Sequence, residues 1–195
     1  MSDQPLPVGT DDADDVIPPP AGKYVLDPMH TFAEFRVRHI VVGKVRGRFD
    51  SISGEFVVTS DPERLFSDAQ VRIDASSIDT NVEARDADLR SERFFDVGNF
   101  PTLTFRSTES RRASANVWTI DGELTIRKII RPVSLDATVR GAKRDTHGNT
   151  KIGLTARASL SRSDFELTTE LLEESGSAGG TDIEIEVDLE AVLKR

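Results

Sequence analysis

The sequence predicts an all-β domain, an antiparallel barrel or sandwich, on three observations. Apolar and polar residues alternate with period two in run after run beyond residue 23. Short turn-like segments divide those runs, and only one stretch has the composition of a helix. Period-two alternation places successive side chains on opposite faces of a pleated strand, so each run reads as a half-buried strand. About eight such strands joined by polar turns close into a barrel or pack as two sheets.

The elements follow in order. Residues 1–22 carry Asp3, Asp11, Asp12, Asp14 and Asp15, no Lys or Arg, and few bulky apolar groups. Such a segment cannot bury enough surface to offset its ordering entropy, which predicts a disordered acidic tail ahead of one domain over 23–195. In 31–39, Thr31, Ala33, Phe35, Val37 and His39 share one face, while Phe32, Glu34, Arg36 and Arg38 share the other. A glycine-containing turn at 42–44 leads into strands at 45–49 and 52–58, where Gly47 and Gly54 predict bends or bulges of the kind a closing barrel needs. Further strands are expected at 69–75, 102–107, 117–126, 133–139, 152–160 and 183–191, divided by turns at 60–63, 110–116, 143–149 and 173–181.

The stretch 82–95 breaks the period. Its good helix formers predict a short helical crossover, capped by Asp79 or Thr80 and stopped before Pro101.

Composition narrows the function. With 195 residues the chain suits one domain plus a tail. The absence of cysteine removes disulfides, thiolate metal sites and cysteine nucleophiles. The first residues lack the basic start and apolar run of a secretory signal, and no run approaches the roughly 18 apolar residues of a membrane-spanning helix. The expected location is therefore the cytoplasm. Five of the nine net negative charges sit in residues 1–22, leaving four for the body. Without a basic excess, nucleic acid is not an expected partner. No nucleophile elbow, phosphate loop, zinc-protease motif or dinucleotide fingerprint occurs.

Four blocks resemble one family. Residues 24–56 (YVLDPMHTFAEFRVRHIVVGKVRGRFDSISGEF) are similar to the opening of YceI-like proteins, with its D-x-x-H start. Residues 73–107 resemble the central block, in which SIDT precedes RD-x-x-L-R-S and FFD-x-x-x-x-P. Residues 122–141 resemble the G-x-L-T-I…P-V hairpin, and 161–167 the R-x-D-F segment. Asp88 stands where the family usually has His, Lys128 and Ile130 where Gly and Thr are common, and Glu166 where Gly often follows D-F. The resemblance implies an eight-stranded, lipocalin-like antiparallel barrel whose lumen holds an isoprenoid or similar long-chain lipid.

On that implication, the inward apolar set becomes the candidate ligand site: Phe35, Val37, Phe49, Phe56, Val71, Ile73, Phe105, Leu124, Ile126, Leu135, Leu154, Ala156, Leu160, Ile185 and Val187. The rival reading of the same residues is a packed core. His30, His39, Arg85, Asp86 and Arg162 are candidates for a polar headgroup, since Arg forks hydrogen bonds onto phosphate or carboxylate. Arg85, Asp86 and Arg90 have an alternative role as ion pairs holding the crossover.

Three scattered histidines lack metal-site spacing, so no metal and no cofactor is expected. Arg36, Arg38, Arg46 and Arg48 share an outer face, and Glu184, Glu186, Asp188 and Glu190 offer a complementary row if first and last strands meet. Exposed strand edges admit a homodimer. The function expected is lipid binding for carriage, storage or sequestration. A protein-interaction module with a packed core, and an enzyme using His30 or His39 as base beside Asp86, are the alternatives.

Overall fold

The computed structural model describes residues 19–39, 43–167 and 182–194, with the side chains of residues 38, 39, 43 and 44 outside that description. The predicted turns at 42–44 and 173–181 fall wholly or partly outside it. Within it the chain forms β1 (Gly22–Leu26), β2 (Phe32–His39), β3 (Gly43–Phe49), β4 (Ile52–Val58), β5 (Phe66–Asp74) and β6 (Ile78–Asp79). A helix, α1 (Glu83–Arg90), follows. Then come β7 (Thr102–Arg112), β8 (Val117–Ile126), β9 (Ile129–Arg144), β10 (Thr150–Ser161) and β11 (Asp182–Leu193).

Every pairing is antiparallel. β11 pairs with β2 through Ile183–Asp188 and with β1 through Ala191–Leu193, so β1 and β2 act as one bent strand. β3 and β4 bend in the same way, pairing with β2 and β1 respectively. The order then runs β4, β5, β7, β8, β9, β10 and back to β11. The result is a closed antiparallel barrel of eight strands.

Closure gives the barrel two unlike ends. At one end lie the connections β4–β5, β7–β8 and β9–β10; at the other lie the β2–β3 hairpin, α1, the β8–β9 turn and the short 3-10 segment Arg162–Phe165. The first end is a floor of rings. Tyr24 stacks on Phe56 at 5.6 Å, Phe56 meets Phe66 edge-on, and Phe66 meets Trp118 edge-on. The Trp118 indole N–H donates to the Pro62 carbonyl at 2.8 Å, and the Tyr24 hydroxyl to the Pro20 carbonyl at 2.9 Å, so both polar tips are satisfied. Burial pushes the Tyr24 hydroxyl pKa above its ordinary value.

Some local expectations need correction. α1 is shorter than 82–95, and neither Asp79 nor Thr80 caps it: Val82 holds the cap position without a side-chain bond. Asp79 instead accepts from the Asn81 amide, and Thr80 is engaged by Asp86. β7 runs on to Arg112 through part of the expected turn, because Ser110 is buried and its hydroxyl donates to the Phe66 carbonyl at 2.5 Å. β9 likewise extends to Arg144. Gly54 sits at a close approach, with Val71 Cα 3.0 Å from where a Cβ would stand.

The outer charge ladder is also different from expectation. The last strand does meet the first, and Glu184 stands opposite Arg36. Most acidic partners lie on the other flank, however: Arg157 pairs with Glu186 at 2.8 Å, Arg140 with Asp188 at 2.7 Å, and Lys151 with Glu190 at 3.2 Å. Arg48 turns instead to Asp50 and Asp79. β10 runs beside β11 along its whole length, so its basic side chains reach the acidic row first.

Candidate functional site: the barrel lumen

The barrel encloses a cavity of 390 Å³. All fifteen apolar residues singled out in the sequence line it, from Phe35 on β2 through Leu124 on β8 to Val187 on β11. The alternation explains this convergence, because each strand contributes every second side chain to the inside. Several of these residues, among them Phe35, Val71, Ile73, Leu135, Ile185 and Val187, are only partly buried although they point inward. They pack on the buried core along one side and leave the other side to the cavity. The lumen is therefore not filled by its own residues, against the packed-core reading.

Sequence reasoning missed other lining residues. Leu103, Ile120, Ala137 and Leu189 belong to the same alternating sets as residues that were named, so the signal was present. Phe94 and Phe95 follow α1, where no strand period operates, and Leu89 lies on α1 itself. Phe94 and Phe95 meet edge-on at 5.0 Å, and Phe95 contacts Phe49 at 5.8 Å, which folds the crossover onto the lumen.

Among the described residues the polar side chains of the lining are Arg85, Asp88 and Arg162, all at the end bearing α1. The partly exposed Val37, Val45, Leu89 and Ile183 line the same end, which identifies it as the mouth. Burial pushes the Arg162 pKa below its ordinary value, although the guanidinium remains a cation at neutral pH. Arg85 spends two donors on the crossover: Nε to Thr80 Oγ1 at 2.7 Å and Nη2 to the Thr80 carbonyl at 2.9 Å. Arg90 holds the crossover too, through the Ser76 and Ile78 carbonyls at 2.9 and 2.6 Å. Three of these four bonds run to backbone carbonyls and one to a hydroxyl, and the ion pair the sequence suggested is present only as a 3.9 Å approach of Arg90 to Glu83.

Two headgroup candidates are corrected. Asp86 is buried but does not line the cavity; its Oδ1 accepts from the Thr80 amide at 2.9 Å and hydroxyl at 2.5 Å. It staples the turn that launches α1. His30 lies on the outer surface at the bend between β1 and β2, bonded through Nδ1 to Asp27 at 3.0 Å. Neither is placed for headgroup contact, and the two engage different partners, so the geometry does not assemble a His30–Asp86 base. The His39 side chain falls outside the described residues.

Among the described residues, Asp27, His30 and Glu190 form one group whose ligand atoms lie within 4.8 Å of one another. The Lys151 ammonium already bridges its carboxylates, 3.1 Å from Asp27 and 3.2 Å from Glu190. That ammonium fills the role a cation would take. Burial raises the Asp27 carboxyl, but hydrogen bonds from His30, Lys151 and the Met29 amide outweigh it and hold its pKa below the usual value. The same bonds, to Asp27 and then Glu190, raise Lys151. The cluster fastens the bend: the Asp27 amide donates to the Glu190 carbonyl at 2.8 Å, and the Glu190 amide to the His30 carbonyl at 3.2 Å.

Fold and lumen together define a lipocalin-like β-barrel with one apolar interior and a polar mouth. The chain belongs to the YceI-like family, whose domain model matches residues 24–191. A UPF0312 protein of Yersinia enterocolitica is 36% identical over 154 residues, covering 77% of this chain and 79% of that one. A UPF0312 protein of Pectobacterium atrosepticum is 32% identical over 174 residues, covering 89% and 86%. Among solved structures, the YceI protein of Campylobacter jejuni superposes with a TM-score of 0.68 at 26% identity, over 82% of this chain and 91% of that one. A polyisoprenoid-binding domain from Saccharophagus degradans, implicated in plant cell wall breakdown, shares the fold with a TM-score of 0.65 at 16% identity, over 88% and 98%.

Proposed function

We propose that this protein binds a long-chain isoprenoid or similar amphiphilic lipid, of quinone or polyprenyl type, in the barrel lumen. The observation that carries the reading is a 390 Å³ cavity lined, among the described residues, by aliphatic and aromatic side chains, with the polar ones at its mouth. That volume falls in the range of small-molecule sites, roughly 300–1,000 Å³. The arrangement suits a ligand with an apolar chain and one polar end: the chain enters the lumen and the end meets Arg85, Asp88 and Arg162. The polyisoprenoid-binding barrel of Saccharophagus degradans supports the same ligand class.

Burial of the chain supplies the affinity. Each methylene removed from water contributes about 0.8 kcal/mol, so ten such groups give roughly 8 kcal/mol before the cost of association. The role that follows from this reading is enclosure of the lipid, for carriage, storage or sequestration.

Trp118 is the one tryptophan of the chain and packs on Phe66, which lines the lumen. Titration with quinones of increasing chain length should quench its fluorescence saturably, and affinity should rise with chain length until the lumen is full. Affinity independent of chain length, or no saturable quenching, would defeat the proposal.

A further inference from the structure

The β8–β9 turn sits on the rim of the mouth, and its sequence, Arg127-Lys128-Ile129-Ile130-Arg131, joins cations to aliphatic residues. Arg127 takes the left-handed turn conformation, with φ of 55°. Its Nη1 donates to the carbonyl of Phe94, a lining residue, at 3.4 Å, which fixes the turn against the mouth. Arg127 and Lys128 lie 5.9 and 6.0 Å from the centre of the Phe100 ring. Among the described residues no carboxylate pairs with Arg127, Lys128 or Arg131. Ile129 turns inward to the core, while Ile130 is 53% exposed between two exposed cations.

Three unneutralised cations in a chain of net charge −9 call for an outside partner. An exposed isoleucine among them points to a surface that is both anionic and apolar. An anionic phospholipid bilayer is both: its headgroups attract Lys and Arg, and its interfacial region accepts aliphatic side chains. From the rim, the same contact would bring the mouth to the membrane.

We propose that the β8–β9 turn docks the barrel, mouth first, on an anionic membrane surface, through Lys128 and Arg131 with Ile130 inserted between headgroups. This inference rests on the lipid-binding reading for its purpose, since a lumen ligand of that class would leave or enter the bilayer there. The acidic remainder of the chain opposes adsorption in any other orientation, so docking should be weak, reversible and directional.

The test is flotation of the full chain with vesicles of phosphatidylcholine alone or with phosphatidylglycerol added, at low and high salt. Binding should require phosphatidylglycerol and fade at high salt. The double variant Lys128→Ala/Arg131→Ala should bind about 25-fold more weakly, from about fivefold per cation, and Ile130→Ser should also weaken binding. Lys143→Ala/Arg144→Ala removes the same charge from exposed positions at the floor end and should bind as the parent does. Failure of the parent to bind anionic vesicles, or equal loss in both double variants, would overturn the proposal. Solvent extraction of the same preparation separates the two readings. Lipid present without vesicle binding defeats only the docking; vesicle binding by a protein that takes up no lipid defeats only the lumen reading.

Discussion

The ring of Phe35 lies over Gly47 on the neighbouring strand, its Cε1 2.8 Å from where a Cβ would stand, with Thr80 Cγ2 equally close. The two residues face each other in the β2–β3 register. Gly47 is thus the space into which a lumen wall residue settles, beside the turn that launches α1.

Gly47→Ala should therefore act on the cavity as well as on stability. The added methyl must displace the Phe35 ring, and the open direction is into the lumen. Overpacking of this kind costs about 1–3 kcal/mol. Denaturant unfolding should show that loss, and quinone affinity should fall with it. An unchanged affinity would show that Phe35 does not border the bound chain.

Ala156 faces the lumen from the middle of β10, flanked in register by the lining residues Ala137 and Val187. Ala156→Phe should occupy part of the cavity without exposing backbone or breaking a hydrogen bond. Longer quinones should lose more affinity than shorter ones, while the melting temperature holds or rises. Equal losses at all chain lengths would place the chain elsewhere.

Asp86 supplies the acceptor for both the amide and the hydroxyl of Thr80. Asp86→Ala leaves the buried amide unpaired and should destabilise by about 2–3 kcal/mol, since an unsatisfied buried group costs more than a bond returns. Asp86→Asn, which retains an acceptor oxygen, should lose less. Equal losses would assign the effect to charge rather than to the hydrogen bonds.

The outer seam makes the stability depend on pH. Asp27 has a folded pKa below its ordinary value, so its contribution is complete above about pH 4 and disappears as pH falls through the folded value. Lys151 is raised, so its contribution is complete below its ordinary pKa and is lost as pH climbs through the folded one. Lys151→Met should cost about 1 kcal/mol at neutral pH and flatten the acid limb of the stability curve. An unaltered acid limb would mean that Asp27 owes its low pKa to His30 and the Met29 amide alone.

Strand positions were legible in the sequence wherever one face meets the lumen and the other meets water, because period two then has a physical cause. All fifteen residues chosen on that basis line the cavity. Legibility failed where the cause is absent. β1 is five residues long and shows too little alternation to stand out, although Tyr24 within it is among the most buried side chains. Phe94 and Phe95 reach the lumen from an irregular segment, and Asp88 from a helix, so no strand pattern announces them. His30 drew attention by motif, yet a histidine at a strand bend can face either way. Its neighbours decided for the outside: Asp27, Glu190 and Lys151 come from three separate strands or bends, which local sequence does not bring together.

Occupation of the lumen by a lipid is tested most directly by native mass spectrometry of the freshly purified protein, followed by solvent extraction. A stoichiometric apolar adduct that is released by solvent and fragments in isoprene steps is the predicted result. A bare polypeptide mass, unchanged after incubation with quinones and polyprenols, would contradict it.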